Sequence, residues 1–175
     1  MLRSILVHGA LAGLILLPFE LMVAFDIPGS HGMLIGYTVM LVALSMVFLG
    51  VKRRRDTVGG GVISFWPAFG FGLAISVVAG IFYVLAWELS MKLSGGDFIG
   101  DYARQVIADM TAKGAAPDKI AKVSAEMAEM QANYANPLFR LPMTFMEIAP
   151  VGLLVSLVSA GLLRNPRFLP ARGEP

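Results

Sequence analysis

Four times along this chain an apolar run continues for about 20 residues, the length a helix needs to cross the hydrocarbon core of a bilayer. The runs cover residues 5–25, 33–51, 67–89 and 142–163. In lipid, only a helix satisfies its own backbone groups within one segment, so these runs predict an all-α membrane protein. Composition agrees: of 175 residues, 57% are hydrophobic and only 15% charged, against about a quarter charged in soluble proteins. Mean hydropathy is +0.72. A soluble core could not hide four such stretches.

The polar residues between the runs divide the chain. The first run follows Arg3 and ends at Asp26-Ile27-Pro28-Gly29-Ser30, a turn-forming sequence. A cleaved leader is the competing reading, but the run exceeds a leader's usual apolar core, contains Glu20 and offers no small-x-small site before Asp26. The second run stops at Lys52, Arg53, Arg54 and Arg55, four consecutive cations that determine topology because they resist translocation. A basic loop, 52–61, leads through Gly59-Gly60-Gly61 to Trp66 and Pro67, where the third span starts. Trp66 and Trp87 are expected at opposite interfaces, since about 21 residues of helix match a core about 30 Å thick.

Residues 97–136 have a different character, with charges of both signs alternating with alanine and methionine. Ile99, Tyr102, Val106 and Met110 recur at helical spacing, and Ile120, Val123, Met127, Met130 and Tyr134 repeat the rhythm after Gly114 and Pro117. The pattern predicts an amphipathic helical hairpin in water. Asn136-Pro137 closes it before the last span and the tail 164–175.

Lys and Arg fix the expected orientation. Arg3, the cations at 52–55, Arg164, Arg167 and Arg172 fall on one side, whereas the short loop 26–32 has none. Both termini are therefore expected in the cytoplasm and the hairpin outside it. The fold expected is a four-transmembrane-helix bundle with an extracytoplasmic amphipathic helical hairpin between spans three and four.

Phe65-Trp66 through Gly72, Ser76 and Gly80, the Asn136-Pro137 junction, and Phe145-Met146-Glu147-Ile148 with Gly152, Ser156-Leu157 and Ser159-Ala160 resemble the domain-of-unknown-function family 4199. The resemblance covers almost the whole chain. It implies a four-span protein of the bacterial inner membrane and brings no assigned activity.

Small residues at spacing four mark the helix faces expected to touch: Gly9 and Gly13, Gly32 and Gly36, Gly72, Ser76 and Gly80, then Gly152, Ser156 and Ala160. Packing does not explain the carboxylates at depth, because an ionisable group in lipid must be paired, protonated or wet. Helical rise puts Glu20 and Glu147 each about 8 Å from the midplane, level with Tyr83 and Tyr37, and Glu88 about 15 Å out, at the interface with Trp87 and Arg140. Glu20 shares the face of Gly9 and Gly13, and Tyr83 that of Gly72 and Ser76, so both should point inward. Glu147 falls about 140° to 180° from the small face of its own helix, which leaves two readings: Pro150 resets the phase, or span four packs on two sides. Glu20, Glu147, Tyr83 and Tyr37 form the candidate intramembrane polar site. Glu20 is expected within hydrogen-bonding reach of Tyr83 or Tyr37.

No catalytic site, metal site or cofactor is expected. Met127-x-x-Met130 and Met143-x-x-Met146 offer thioethers for Cu(I), but methionine fills helical faces for packing alone. His8 and His31 belong to opposite sides of the membrane and cannot share a haem. No nucleophile-elbow, zinc-helix or phosphate-loop motif occurs. A net charge of +2 concentrated beside apolar runs gives no case for nucleic acid, and the absence of cysteine excludes disulfides, Fe–S ligation and thiolate chemistry. The expected partners are the lipid bilayer and either a second copy or another membrane protein. Two functions compete: a non-enzymatic structural, partner-binding or regulatory protein, and a small transporter or channel that couples protons or cations through its intramembrane carboxylates.

Overall fold

The computed structural model describes residues 1–24, 32–95 and 97–171. Among them are six helices and no strand: α1 (Leu2–Ala24), α2 (Gly32–Thr57), α3 (Phe65–Ser94), α4 (Phe98–Ala112), α5 (Pro117–Tyr134) and α6 (Pro137–Leu163). Helices α1, α2, α3 and α6 are long and apolar enough to cross a membrane. The turn at Asp26–Ser30, His31 and Arg172 lie outside the described residues.

Helix ends follow local chemistry. Gly95 closes α3 in the left-handed conformation, at φ 70°, and Asp97 then caps α4 by accepting a bond from the Gly100 amide at 3.1 Å. Asn136 caps α6, its Oδ1 accepting from the Leu138 amide at 3.0 Å, with Pro137 at the first helical position. Helix α6 thus contains the 142–163 stretch and extends it by more than a turn, with Pro142 and Pro150 in its interior.

Helix α3 is the hub, with α1 on one side and α6 on the other, and α2 packs against all three. Small residues make the close approaches. A Cβ at Gly9 would stand 2.5 Å from the Val78 side chain, and one at Gly13 would strike Phe82. Across α3 and α6, Gly80 faces the Phe145 ring and Gly152 faces Ser76. There the Ser76 and Ser156 hydroxyls meet at 3.0 Å, and Ser76 also donates to the Gly152 carbonyl at 3.2 Å. Leu16, Leu44, Val47, Ile75 and Ile148 fill the core between these contacts.

The two ends of the bundle differ. At one, the Arg55 side chain is wholly buried and donates to the Phe168 and Leu169 carbonyls at 2.8 and 2.5 Å and to Asp56 at 2.7 Å. Arg55 therefore ties the segment after α6 to the end of α2. Leu169, at φ 46°, holds a conformation unfavourable for a branched residue, and the Arg55 bond to its carbonyl helps to hold it there. At the other end, α4 and α5 pack against each other. Gln131 donates to Asp97 at 2.7 Å, so the start of α4 lies beside the end of α5.

Candidate functional site

Glu20 is the most deeply buried acid of the described residues, 2% exposed although it has no cationic partner among them. The small face of α1 turns it toward α3, where Tyr83 and, beyond it, Glu147 are its polar neighbours. The Tyr83 hydroxyl donates to Glu147 Oε2 of α6 at 2.9 Å. Three helices thus bring Glu20, Tyr83 and Glu147 to one point.

One phenol has one proton and two lone pairs. Since it donates to Glu147, a hydrogen bond between Tyr83 and Glu20 requires Glu20 to be the donor, which only a protonated carboxyl can be. Two carboxylates side by side in a low dielectric without a cation would repel each other and lose hydration. A shared proton relieves both costs.

Glu147 lies on the flank of α6. Its residue surface is open to the outside of the chain while its carboxyl reaches inward to Tyr83. The off-phase position is thus bridged by side-chain length: the buried face of α6 runs through Thr144, Ile148, Gly152 and Ser156, and Glu147 stands at its edge.

Tyr37 does not join the cluster. It is 53% exposed on the outer surface of α2, because the buried stripe of that helix passes through Gly36, Met40, Leu44 and Val47. The Phe19 ring occupies the space beside Gly36, 3.2 Å from where a Cβ would stand. Depth alone placed Tyr37 with the others; rotation about α2 removes it.

Nearer the α4–α5 end, a second network surrounds Trp87. Arg140 donates to both Glu88 oxygens, from Nε at 2.6 Å and Nη2 at 2.7 Å, and from Nη1 to the Tyr134 carbonyl at 2.9 Å. Trp87 Nε1 donates to the Tyr134 hydroxyl at 2.6 Å, and the Phe98 ring meets the indole edge-on at 4.9 Å. Trp87 is consequently buried beneath the ends of α4 and α5, whereas Trp66 stands exposed beside Phe65 and Phe69 at the opposite end. Burial holds the Tyr134 phenol above its ordinary range, so it remains protonated at neutral pH. Tyr134, the buried Thr144 and the Glu88–Arg140 pairing were not singled out as one network in the sequence. The hydrophobic rhythm placed Tyr134 on a helical stripe but could not show that α5 delivers it beneath α3.

Of the four topology cations, Arg55 is consumed by the clamp described above, and Arg54 stacks over the Phe71 ring at 4.8 Å. His8 is buried at that same end, its Nδ1 2.7 Å from the Ser4 carbonyl. No group of three or more His, Cys, Asp or Glu side chains arranged to hold a metal occurs among the described residues. Met146 is exposed on α6, while Met127, Met130 and Met143 are half-buried.

A family described as "Protein of unknown function (DUF4199)" matches residues 7–165, and the chain belongs to it. No curated protein and no solved structure matches the chain.

Proposed function

We propose that this membrane protein is non-enzymatic, resides in the bacterial inner membrane with both termini in the cytoplasm, and acts by presenting α4–α5 outside the cytoplasm to another membrane protein. One observation carries this reading: α4 and α5 are anchored at their ends and open along their length. Trp87, Tyr134, Arg140 and the Asp97–Gln131 bond fix the ends. Between them the apolar stripes stay only half-buried at Val106, Met110, Val123 and Met127, and Tyr102 is exposed. A rigidly held, incompletely covered amphipathic pair suits recognition of a partner helix. Photocrosslinking residues at Tyr102 and Met127 in native membranes should yield one discrete adduct, lost on free-peptide-like release of the ends in Arg140→Gln. Adducts unchanged in Arg140→Gln, or none at either position, would remove this reading.

The convergence of Glu20, Tyr83 and Glu147 favours a second reading, proton or cation coupling across the membrane. Its test is ion flux in proteoliposomes loaded with a pH dye or a cation dye. The coupling reading expects wild-type flux and none in folded Glu20→Gln, because the amide cannot titrate. Equal traces for both proteins would exclude it.

A further inference from the structure

We infer that the crevice between α3 and the first turns of α6 is a binding site for a single phospholipid with a monoanionic phosphodiester headgroup. Two cavities follow one another along this crevice. The first, about 390 Å³, is walled by apolar side chains that include Ile81, Val84 and Leu85 of α3 and Leu138, Leu141 and Phe145 of α6. The second, about 470 Å³, begins one turn further along α3 and is lined by Glu88, Leu89, Met91, Lys92 and Arg140. Apolar walls thus give way to charged ones on passing from the interior of the bundle toward the end where α4 and α5 emerge. This is the order in which a lipid presents its acyl chain and its headgroup.

Charge identifies the headgroup. Glu88 and Arg140 neutralise each other, and Lys92 makes no ion pair among the described residues, so the charged cavity carries one net positive charge. Arg140 is not exhausted by its partners. Of the five N–H donors of a guanidinium, three are used, by Glu88 and the Tyr134 carbonyl, which leaves two. A phosphodiester oxygen can accept from Arg140 and pair with Lys92 at once. Lys92 is exposed and its long stem lets the ammonium reach the headgroup plane. A second copy of this chain would cover the apolar walls but would gain nothing from the charged cavity, and the crevice therefore fits a lipid better than a protein face. The site is separate from the carboxyl cluster and depends on neither functional reading.

The test is native mass spectrometry of the full chain extracted from vesicles of equal phosphatidylglycerol and phosphatidylcholine. One phosphatidylglycerol should be retained in preference to phosphatidylcholine, and Lys92→Glu should lower its occupancy roughly tenfold, since a unit charge near the surface is replaced by its opposite. Leu85→Trp, which fills the apolar cavity, should lower it independently of charge. Millimolar sn-glycerol 3-phosphate should leave the lipid bound. Equal retention of the two lipids would reduce the site to ordinary lipid contact, displacement by glycerol phosphate would make it a free-phosphate site, and a lipid-free dimer would make the crevice a self-association face. Each of these outcomes overturns the proposal.

Discussion

At the scale of single residues, the Tyr83 hydroxyl is the most informative atom, because two carboxyl groups from different helices depend on it. Tyr83→Phe keeps the ring that packs between α1 and α6 and removes the only donor to Glu147 recorded among the described residues. Leaving this part-buried acceptor unsatisfied costs at most about 1 to 3 kcal/mol; the variant should fold with its thermal midpoint modestly lowered in detergent. Glu20→Gln should preserve the midpoint, since an amide still bonds to the phenol and carries no charge to solvate. Glu20→Lys places a cation at a site that is 2% exposed, and should abolish recovery of folded protein. An unaltered midpoint for Tyr83→Phe together with folded Glu20→Lys would show that the cluster is hydrated and loosely held. Ser90 makes the complementary case, as its hydroxyl is buried without a partner among the described residues. Ser90→Ala should be neutral or stabilising by the same measurement. Depth and helical phase make the inward faces of Glu20 and Tyr83 legible in the sequence, because both share faces with glycine and serine. They could not resolve Glu147, whose side chain reaches inward from the edge of its helix, and depth alone grouped Tyr37 with the others although it lies about 100° round α2 from Gly36.

At the scale of helices, the contacts of α3 depend on side chains that are missing. Gly152 lies where a Cβ would come within 2.9 Å of Ser76, and Gly80 where it would meet Phe145 at 2.5 Å. Gly152→Leu must therefore push α6 away from α3 or force strained rotamers, at a cost of about 1 to 3 kcal/mol or more. Gly161→Leu, on the same helix with open space beside it, should cost little. A lower midpoint for the first and not the second, read by circular dichroism in detergent, tests whether contact rather than loss of glycine is responsible. These faces were legible because four-residue spacing of small residues is a property of one helix at a time. What spacing could not supply is the pairing of helices: that α3 takes both α1 and α6, or that the α5–α6 turn brings Tyr134 under Trp87. For α4 and α5 the exposure pattern makes a separate prediction. In this cysteine-free chain, single cysteines at Val123 and Met127 should react with a polar maleimide several times more slowly than cysteines at Lys113 and Glu126, and equal rates would mean that the two helices do not stay together in the membrane.

At the scale of the whole molecule, Arg55 joins sequence-distant parts in a way that constrains topology. Its guanidinium holds the Phe168 and Leu169 carbonyls, so the end of α2 and the end of α6 share one end of the bundle. The Asp97–Gln131 bond and the Trp87–Tyr134 bond place α4 and α5 at the other. Four crossings with this arrangement allow only two orientations in a bilayer, and the positive-inside rule predicts which of the two is adopted. Lys52, Arg53 and Arg54 crowd the Arg55 end, joined by Arg3, Arg164 and Arg167, while the cations of α4 and α5 alternate with acids and pair with them, as Lys113 does with Asp109 and Lys122 with Glu126. Burial of Arg55 still leaves three neighbouring cations at the same end, so the expected orientation does not depend on it. A reporter active only outside the cytoplasm should therefore be active when fused after Ala115 and silent after Asp56 or Pro175. Arg55→Gln should leave that pattern intact, three neighbouring cations remaining, yet free the 164–171 segment to proteolysis in inverted vesicles. Activity after Asp56 would reverse the orientation and place α4 and α5 in the cytoplasm. A silent Asp56 fusion with an unprotected segment in the wild type would instead leave the orientation standing and remove the clamp.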